Sequence, residues 1–362
     1  MPPAVDSDPT HRTMSLSILT IDNLRCITHA ELDLHPAQNL IWGENGSGKT
    51  SLLEAMYLLG RGRSFRTRNS ERLVRLGERE LTVVGRVGAQ TLGIQVARGA
   101  PTLGKVGGTY VTSLAELSQA FPVQAIDPSV HKLIEDAAQR RRRWLDWAVF
   151  HVEPGFVDIW SRYTRALRQR NAALKDHPEQ AFVWDTELAR LGEQLAESRR
   201  LTLERLQPYW SATTERMLGE TPSLTYVRGW AKDSSLLAAL TSARPGDLAR
   251  GITQVGPHRD DIRVRLERAA ARDVLSRGQQ KLVAVSMILA QLRMLQDVLG
   301  IMPTLLLDDP SAELDETRQA LLIDQVSQLN CQLVVTSLSV ESSLFGRPQK
   351  VFHVEQGTVS PV

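Results

Sequence analysis

The stretch Gly43-Glu44-Asn45-Gly46-Ser47-Gly48-Lys49-Thr50 constrains this chain more than any other. It fills every fixed position of G-x-x-x-x-G-K-[S/T]. Asn39-Leu40-Ile41-Trp42 before it reads as the end of a strand. Ser51-Leu52-Leu53-Glu54-Ala55-Met56-Tyr57-Leu58-Leu59 after it carries apolar residues at helical spacing. Strand, loop and helix in that order are the context the motif needs. Glycines let the backbone turn tightly and aim its N–H groups inward. The helix N-terminus adds a partial positive charge that suits phosphate. Lys49 would reach the β- and γ-phosphates, and the Thr50 hydroxyl would ligate Mg²⁺. A chance Lys-Thr in a Gly-rich loop would not explain the flanking strand and helix. Residues 43–51 therefore predict a site for a nucleoside triphosphate, ATP with Mg²⁺.

With 362 residues the chain can bury a large core and form two domains. A net charge of +2 supplies no global field toward nucleic acid, so any such contact rests on local patches. Cys26 and Cys331 stand far apart and suggest neither a disulfide framework nor a cysteine metal site, as expected of a cytoplasmic protein. No run of 18 apolar residues is present, so no membrane span is expected. Residues 1–13 are polar, and Met14 directly precedes the first strand-like run. A disordered tail over 1–13 is expected, with Met14 the better start of the folded chain.

The alternation in 16–21 and 30–34 predicts two strands, with a turn at Asp22-Asn23. Residues 81–87 and 91–96 read as a hairpin, and the Gly-rich stretch 99–108 as a loop. Tyr110-Val111 extends the sheet, and 121–126 is a further apolar strand closed by Asp127-Pro128. From 129 to about 240 the pattern is helical. Trp184, Leu188, Leu191, Leu195 and Ser198 keep a 4-3-4-3 spacing, enough for helices packed in a lobe and far too short for a coiled-coil arm. Pro245-Gly246-Asp247 marks a boundary. Residues 262–266 alternate as a strand, 282–292 form an apolar helix, and 304–307 and 333–337 are buried strands. Residues 350–354 with Glu355-Gln356-Gly357 close the chain as an edge hairpin. The expected fold is α/β, a phosphate-loop head of mixed sheet and helices over 14–128 and 245–362, with a mostly helical lobe over 129–244.

Two basic stretches stand out. Arg61, Arg63, Arg66 and Arg68 share a loop with glycines and Phe65. The loop suits a phosphate backbone, or is simply solvated; both readings stay open. Within Arg140-Arg141-Arg142-Arg143, Arg141 and Arg142 are further DNA candidates, against the plainer reading of a solvated helix face.

Asp308 and Asp309 end an apolar strand, where phosphate-loop folds place magnesium-side carboxylates. Asp308 is expected to hold Mg²⁺ through water, and Asp309 to orient the attacking water, so Lys49, Asp308 and Asp309 form the catalytic set. Gln124, read as ending a strand between the two motifs, is a candidate magnesium contact. Leu275-Ser276-Arg277-Gly278-Gln279 supports two readings. Ser276 and Gln279 make a capping box, S-x-x-Q. The same residues also form an anion cradle at a helix N-terminus. A chain that already has one phosphate cradle would use a second on ATP bound by another subunit, so Ser276, Gly278 and Gln279 are expected to act in trans in an ATP-dependent homodimer.

These motifs resemble the ABC-type ATPases, whose signature is L-S-G-G-Q; Arg277 stands in place of its first glycine. Ser311-Ala312-Glu313-Leu314-Asp315 resembles that class's dimer-contact loop. Thr336-Ser337 occupies the place of its switch histidine, which is compatible with slow turnover. Within the class the chain most resembles the RecF family of recombination mediators, relatives of the SMC ATPases. The residues are 43–50, 62–67, Arg141-Arg142, Leu145-Asp146, Gln169-Arg170-Asn171-Ala172, Leu174, 256–261, 276–281 and 307–315. The resemblance implies a weak, DNA-dependent ATPase of DNA repair, replication-fork maintenance and the SOS response. It implies binding of double-stranded and gapped DNA, and work with RecO and RecR in loading RecA onto gaps coated by single-strand-binding protein. A transporter ATP-binding subunit would share the loop and signature but not the arginine loop or the long helical lobe. An SMC-like ATPase without a repair role is the other alternative, although the long heptad arms of such proteins are absent. A phosphate-loop kinase or GTPase would lack the signature.

Overall fold

The computed structural model describes residues 14–312, 315–340 and 344–362. The expected tail at 1–13 lies outside them, as do Glu313 and Leu314. In chain order the strands and helices are β1 (Leu16–Leu24), β2 (Ile27–Asp33), β3 (Gln38–Trp42), α1 (Lys49–Arg61), β4 (Glu80–Val87), β5 (Gln90–Ala97), β6 (Leu103–Val106), β7 (Thr109–Tyr110), α2 (Ala115–Ala120) and β8 (Val123–Ile126). Then come α3 (Lys132–Glu135), α4 (Ala138–Val152), α5 (Phe156–Asp176), α6 (Asp185–Leu218), β9 (Ser223–Val227), α7 (Leu236–Arg250), β10 (Asp261–Leu266), β11 (Ala269–Ala270), α8 (Ala271–Val274) and α9 (Arg277–Leu299). The chain closes with β12 (Thr304–Leu307), α10 (Glu316–Ser327), β13 (Gln332–Ser337), β14 (Lys350–Glu355) and β15 (Thr358–Pro361).

Two compact units result, one of Met1–Val130 with Leu295–Val362 and one of His131–Met294. The sequence reading returns to the first unit at 245, whereas residues 245–294 pack within the second.

The first unit holds two six-stranded sheets, β15-β14-β3-β13-β12-β8 and β2-β1-β4-β5-β6-β7. In the former, β14, β3, β13, β12 and β8 run parallel, so their carboxyl ends share one edge. Such strands are covered on both faces and read as apolar runs; Leu305, Leu306 and Leu307 have no exposed surface. α1 packs against strands of both sheets and buries nearly its whole circumference, Leu52, Leu53, Met56, Leu58 and Leu59 included. A helix apolar all round belongs in a core. Gln332 crosses between the sheets: its Oε1 accepts from Leu16 N at 2.9 Å and its Nε2 donates to Leu16 O at 2.7 Å.

The second unit is helical, with a three-stranded antiparallel sheet β11-β10-β9 that the helical reading of 129–240 missed at β9. Three further expectations change. The stretch 99–108 contains β6, where a Cβ on Gly104 would lie 2.8 Å from Val111 Cγ2 and force that side chain to shift. β1 runs through Asp22-Asn23, and the turn falls at Arg25-Cys26. Pro245 lies inside α7 rather than at a boundary. α9 is long and apolar enough to cross a membrane by composition alone, but 72% of its most apolar window is buried, which marks a core helix.

Buried arginines tie the second unit together. Arg170 Nε donates to Asp185 Oδ1, and its Nη1 to Asp247 Oδ2 and Thr253 Oγ1, each at 2.8 Å. Asn171 Oδ1 accepts from Thr253 N at 2.8 Å. This explains structurally two residues that nucleotide binding left unexplained. Nearby, His258 Nε2–H donates to Thr253 O at 2.9 Å, so Nδ1 accepts from the Tyr163 hydroxyl at 2.8 Å. Burial pushes His258 down to about 4, which keeps it neutral. Arg170→Met leaves two buried carboxylates without their cation and is expected to cost about 3–5 kcal/mol. Urea unfolding of the full chain measures it; a loss under about 1 kcal/mol would show that Arg244, 3.0 Å from Asp185, suffices alone.

Candidate nucleotide site

The phosphate loop leaves β3 at the shared carboxyl edge and enters α1. Gly43 cannot be replaced, since a Cβ would sit 2.2 Å from Val354 O. Gly48 caps α1 at φ 122°, a conformation side chains avoid. The β14–β15 hairpin braces the loop: Gly357 N donates to Ser47 O at 2.8 Å, and Trp42 stacks on His353 at 4.1 Å. Ser51 Oγ lies 4.0 Å from Cys26 Sγ. Glu44, Asn45 and Gly46 are exposed at the tip.

Lys49 is buried, and its Nζ donates to the carbonyls of Gly43 at 2.6 Å and Glu44 at 2.9 Å. Burial lowers its pKa, opposed by the charges of Asp309 and Asp308. Thr50 Oγ1 lies 3.0 Å from both carboxylate oxygens of Asp308. The Thr336 hydroxyl, also 3.0 Å from Asp308 Oδ1, accepts from Asp309 N at 2.8 Å. Burial raises the Asp308 pKa, partly offset by hydrogen bonds from Thr50 and Thr336. Asp309 adopts φ 47°, and its Oδ1 accepts from Ser311 Oγ at 3.2 Å. A non-glycine residue held there stores roughly 1 kcal/mol of strain, a recurrent feature of functional sites.

The site fits the groups its motif implies. Ser47 Oγ is buried without a hydrogen-bond partner among the described residues, facing a loop built to donate. The carbonyls of Gly43 and Glu44 hold the Lys49 ammonium at the loop. A hydroxyl and a carboxylate in contact make a hard-cation site. Gln124 does not end its strand: it is the second residue of β8, level with Leu305, two positions short of Ile126, whose carbonyl accepts from Asp308 N. Asp127 follows at that edge instead, and its charge contributes to the raised Asp308 pKa.

Ser276, Gly278 and Gln279 lie in the second unit. Their capping box is formed: Ser276 N donates to Gln279 Oε1 at 2.9 Å and Gln279 N to Ser276 Oγ at 3.3 Å. Arg277 is 84% exposed, and the amides of Arg277 and Gly278 have no intrahelical acceptor. Asp315, from the loop after Asp308-Asp309, is the N-cap of α10.

The arginine stretches divide. Arg61 stacks over the Tyr57 ring at 5.5 Å, and burial lowers it to about 10. Against burial, the charges of Arg61 and Arg63 act together to lower the Tyr57 pKa. Arg61 and Arg63 are half-buried, whereas Arg66 and Arg68 are exposed. The loop is anchored by buried Glu54 of α1, which accepts from Ser64 Oγ and from Arg25 Nη2 at 2.9 Å and lies 4.0 Å from Arg66 Nη1. A glutamate inside an otherwise apolar helix was the signal for this anchor. Arg141 is withdrawn as a DNA candidate: it is buried, pairs with Asp261 at 2.9 Å and donates to three carbonyls. Arg142 is half-buried and donates to Asp260 O at 2.5 Å.

Parallel strands that deliver a phosphate loop and an Asp-Asp pair to one edge, with a signature-like helix start in a second unit, define an ATPase head of the ABC/SMC class. A family model described as the RecF/RecN/SMC N terminal domain matches residues 15–360. The DNA replication and repair protein RecF of Pseudomonas aeruginosa is 37% identical over 360 residues, 96% of this chain and 98% of that protein. That of Shewanella loihica is 36% identical over 359 residues, 96% of this chain and 100% of that one. A solved structure of the recombination mediator protein RecF-ATP in the RecFOR pathway matches with a TM-score of 0.88 at 26% identity, covering 97% of this chain and 99% of its own. The chain belongs to the RecF family of DNA replication and repair proteins. An SMC-like ATPase without a repair role is not favoured.

Proposed function

We propose that the chain is a DNA-binding ATPase of recombinational repair that binds ATP with Mg²⁺, dimerises on it and hydrolyses it slowly. The observation that carries this reading is the Thr50 hydroxyl set on both oxygens of Asp308, beside Lys49. Mg²⁺, when bound, neutralises charge on the β- and γ-phosphate oxygens. Thr50 and Asp308 would hold it, and Lys49 would exchange two backbone carbonyls for phosphate oxygens. Asp309, fixed by Ser311 and Thr336, would accept a hydrogen bond from the attacking water. Thr336 is committed to Asp308 and Asp309, so the switch-histidine place offers no proton carrier, which fits slow turnover. Ser276, Gly278 and Gln279 would close on ATP held by the second subunit.

Family membership supports duplex and gapped DNA as the substrate and RecO and RecR as partners, acting in the cytoplasm where RecA is loaded. Arg66 is both exposed and near enough to Asp308 for its charge to lower that carboxyl's pKa. DNA phosphates that draw Arg66 outward would change the field at the metal carboxylate, which gives DNA-dependent hydrolysis a physical route. Hydrolysis measured with and without gapped duplex, alongside sedimentation with ATP, tests the reading. DNA is expected to raise turnover and ATP to shift monomer to dimer; Arg66→Glu with Arg68→Glu is expected to remove the stimulation. Hydrolysis indifferent to DNA in the unaltered chain overturns the proposal.

A further inference from the structure

The outward face of the small sheet in the second unit has no part in the nucleotide site. Along β10 the side chains alternate: Ile262 and Val264 are buried, Arg263 and Arg265 exposed. The register sets Arg263 opposite Thr225 and Arg265 opposite Ser223, both exposed on β9. Arg268 follows, exposed, in the turn to β11, and Arg259 precedes the strand, also exposed.

The aspartates of this stretch do not offset these charges. Asp260 is fully buried, held by Arg199 at 2.8 Å, and Asp261 is held by Arg141 at 2.9 Å. Glu267 alone remains exposed between Arg259 and Arg268. Among the described residues neither Arg263 nor Arg265 has a carboxylate partner; Arg265 Nη2 donates to the Arg268 carbonyl. Two residues apart on one strand, the guanidinium stems start about 6.8 Å apart. Like charges at that separation repel. Here the cross-strand neighbours are hydroxyls, so the repulsion has no internal remedy and an external anion would relieve it.

Arginine with serine and threonine is the side-chain set that contacts nucleic-acid phosphates. The outward positions of β9 and β10 carry no aromatic ring, because Tyr226 turns inward to Asp260, so the face offers no stacking platform for single-stranded bases. Nor do these positions offer an aromatic anchor of the kind that dominates peptide docking. We infer that the outward face of β9 and β10, Arg263 and Arg265 with Thr225 and Ser223, binds the phosphate backbone of duplex DNA. The inference rests on the DNA-binding reading above and deepens it by placing a contact on the second unit.

Arg263→Glu with Arg265→Glu in the full chain tests it, against the unaltered chain and the double lysine variant. Duplex binding is titrated from 50 to 200 mM salt, with ATP affinity and the unfolding midpoint as controls for folding. The glutamate variant is expected to bind duplex on the order of tenfold more weakly at the low-salt end, with a log–log salt slope smaller by roughly 1.8, two phosphate contacts at about 0.9 each. The lysine variant is expected to keep the slope, and ATP affinity to stay unchanged in both. An unchanged slope in the glutamate variant overturns the surface alone. Displacement of duplex by poly-glutamate as effective as by duplex itself overturns the assignment to DNA in favour of an acidic protein segment. Failure of the unaltered chain to bind duplex at all overturns the functional reading and this surface with it.

Discussion

Lys49→Met is expected to weaken ATP binding roughly a hundredfold or more while leaving the fold intact. The ammonium it removes is a buried positive charge on which the carboxylates of Asp309 and Asp308 act. Without it, a triphosphate entering the loop would meet those carboxylates with only backbone amides for compensation. Charge-assisted hydrogen bonds contribute about 1.5–3 kcal/mol each. Losing the pair to the β- and γ-phosphates is therefore worth about 3 kcal/mol or more, roughly a hundredfold in Kd. The fold survives because methionine fills the same buried channel, and the carbonyls of Gly43 and Glu44 lie beside an exposed loop tip where water replaces the lost donor. Equilibrium titration with a fluorescent ATP analogue reads the effect; unchanged affinity would sink the site assignment. Asp308→Asn is the companion measurement. It should keep nucleotide binding but remove its dependence on Mg²⁺, since the amide still accepts from Thr50 while the metal loses its charged ligand.

The parts of this site that were legible in the sequence are those whose chemistry is local. A loop with glycines at fixed spacing and Lys-Thr at its end specifies its own geometry. Four buried residues followed by Asp308-Asp309 announce a parallel strand and its carboxyl end. What was not legible depends on partners far along the chain. Glu54 anchors the arginine loop only because Arg25 and Ser64 fold onto it. Gln332 meets Leu16 across 316 residues, which no pattern foretells. Thr336 looked like the loss of a histidine, yet its hydroxyl links Asp308 to the backbone of Asp309. The run 140–143 held a signal that its charge obscured. Four consecutive helical residues at about 100° each sweep most of the circumference, so they cannot all share a solvated face, and Arg141 is the one that faces inward. In β10 the period is two instead, so Arg263 and Arg265 point the same way, and that way is outward.

Ser276→Arg is expected to abolish ATP-dependent dimerisation and hydrolysis together, while each subunit still binds ATP in its own phosphate loop. The side chain does have a local task, since its hydroxyl accepts from Gln279 N in a formed capping box. Loss of such a cap costs about 1 kcal/mol of helix stability. α9 is a long helix buried through most of its length, so it would persist. If capping were the whole role, dimerisation would stay near normal. The alternative rests on the amides of Arg277 and Gly278, which as the first residues of the helix have no acceptor within it and lie beside an exposed arginine side chain. A γ-phosphate presented by a second subunit would complete them, and a bulky cation at 276 would block its approach. Mixing Ser276→Arg with Lys49→Met separates the two accounts further. A mixed dimer contains one composite site in which intact Lys49 faces intact Ser276, and another that carries both defects. If one sound site suffices, part of the hydrolysis returns on mixing, which two defects confined to their own subunits cannot produce. Sedimentation of Ser276→Arg with ATP decides first: a normal ATP-dependent dimer leaves the serine as a cap and removes the composite site.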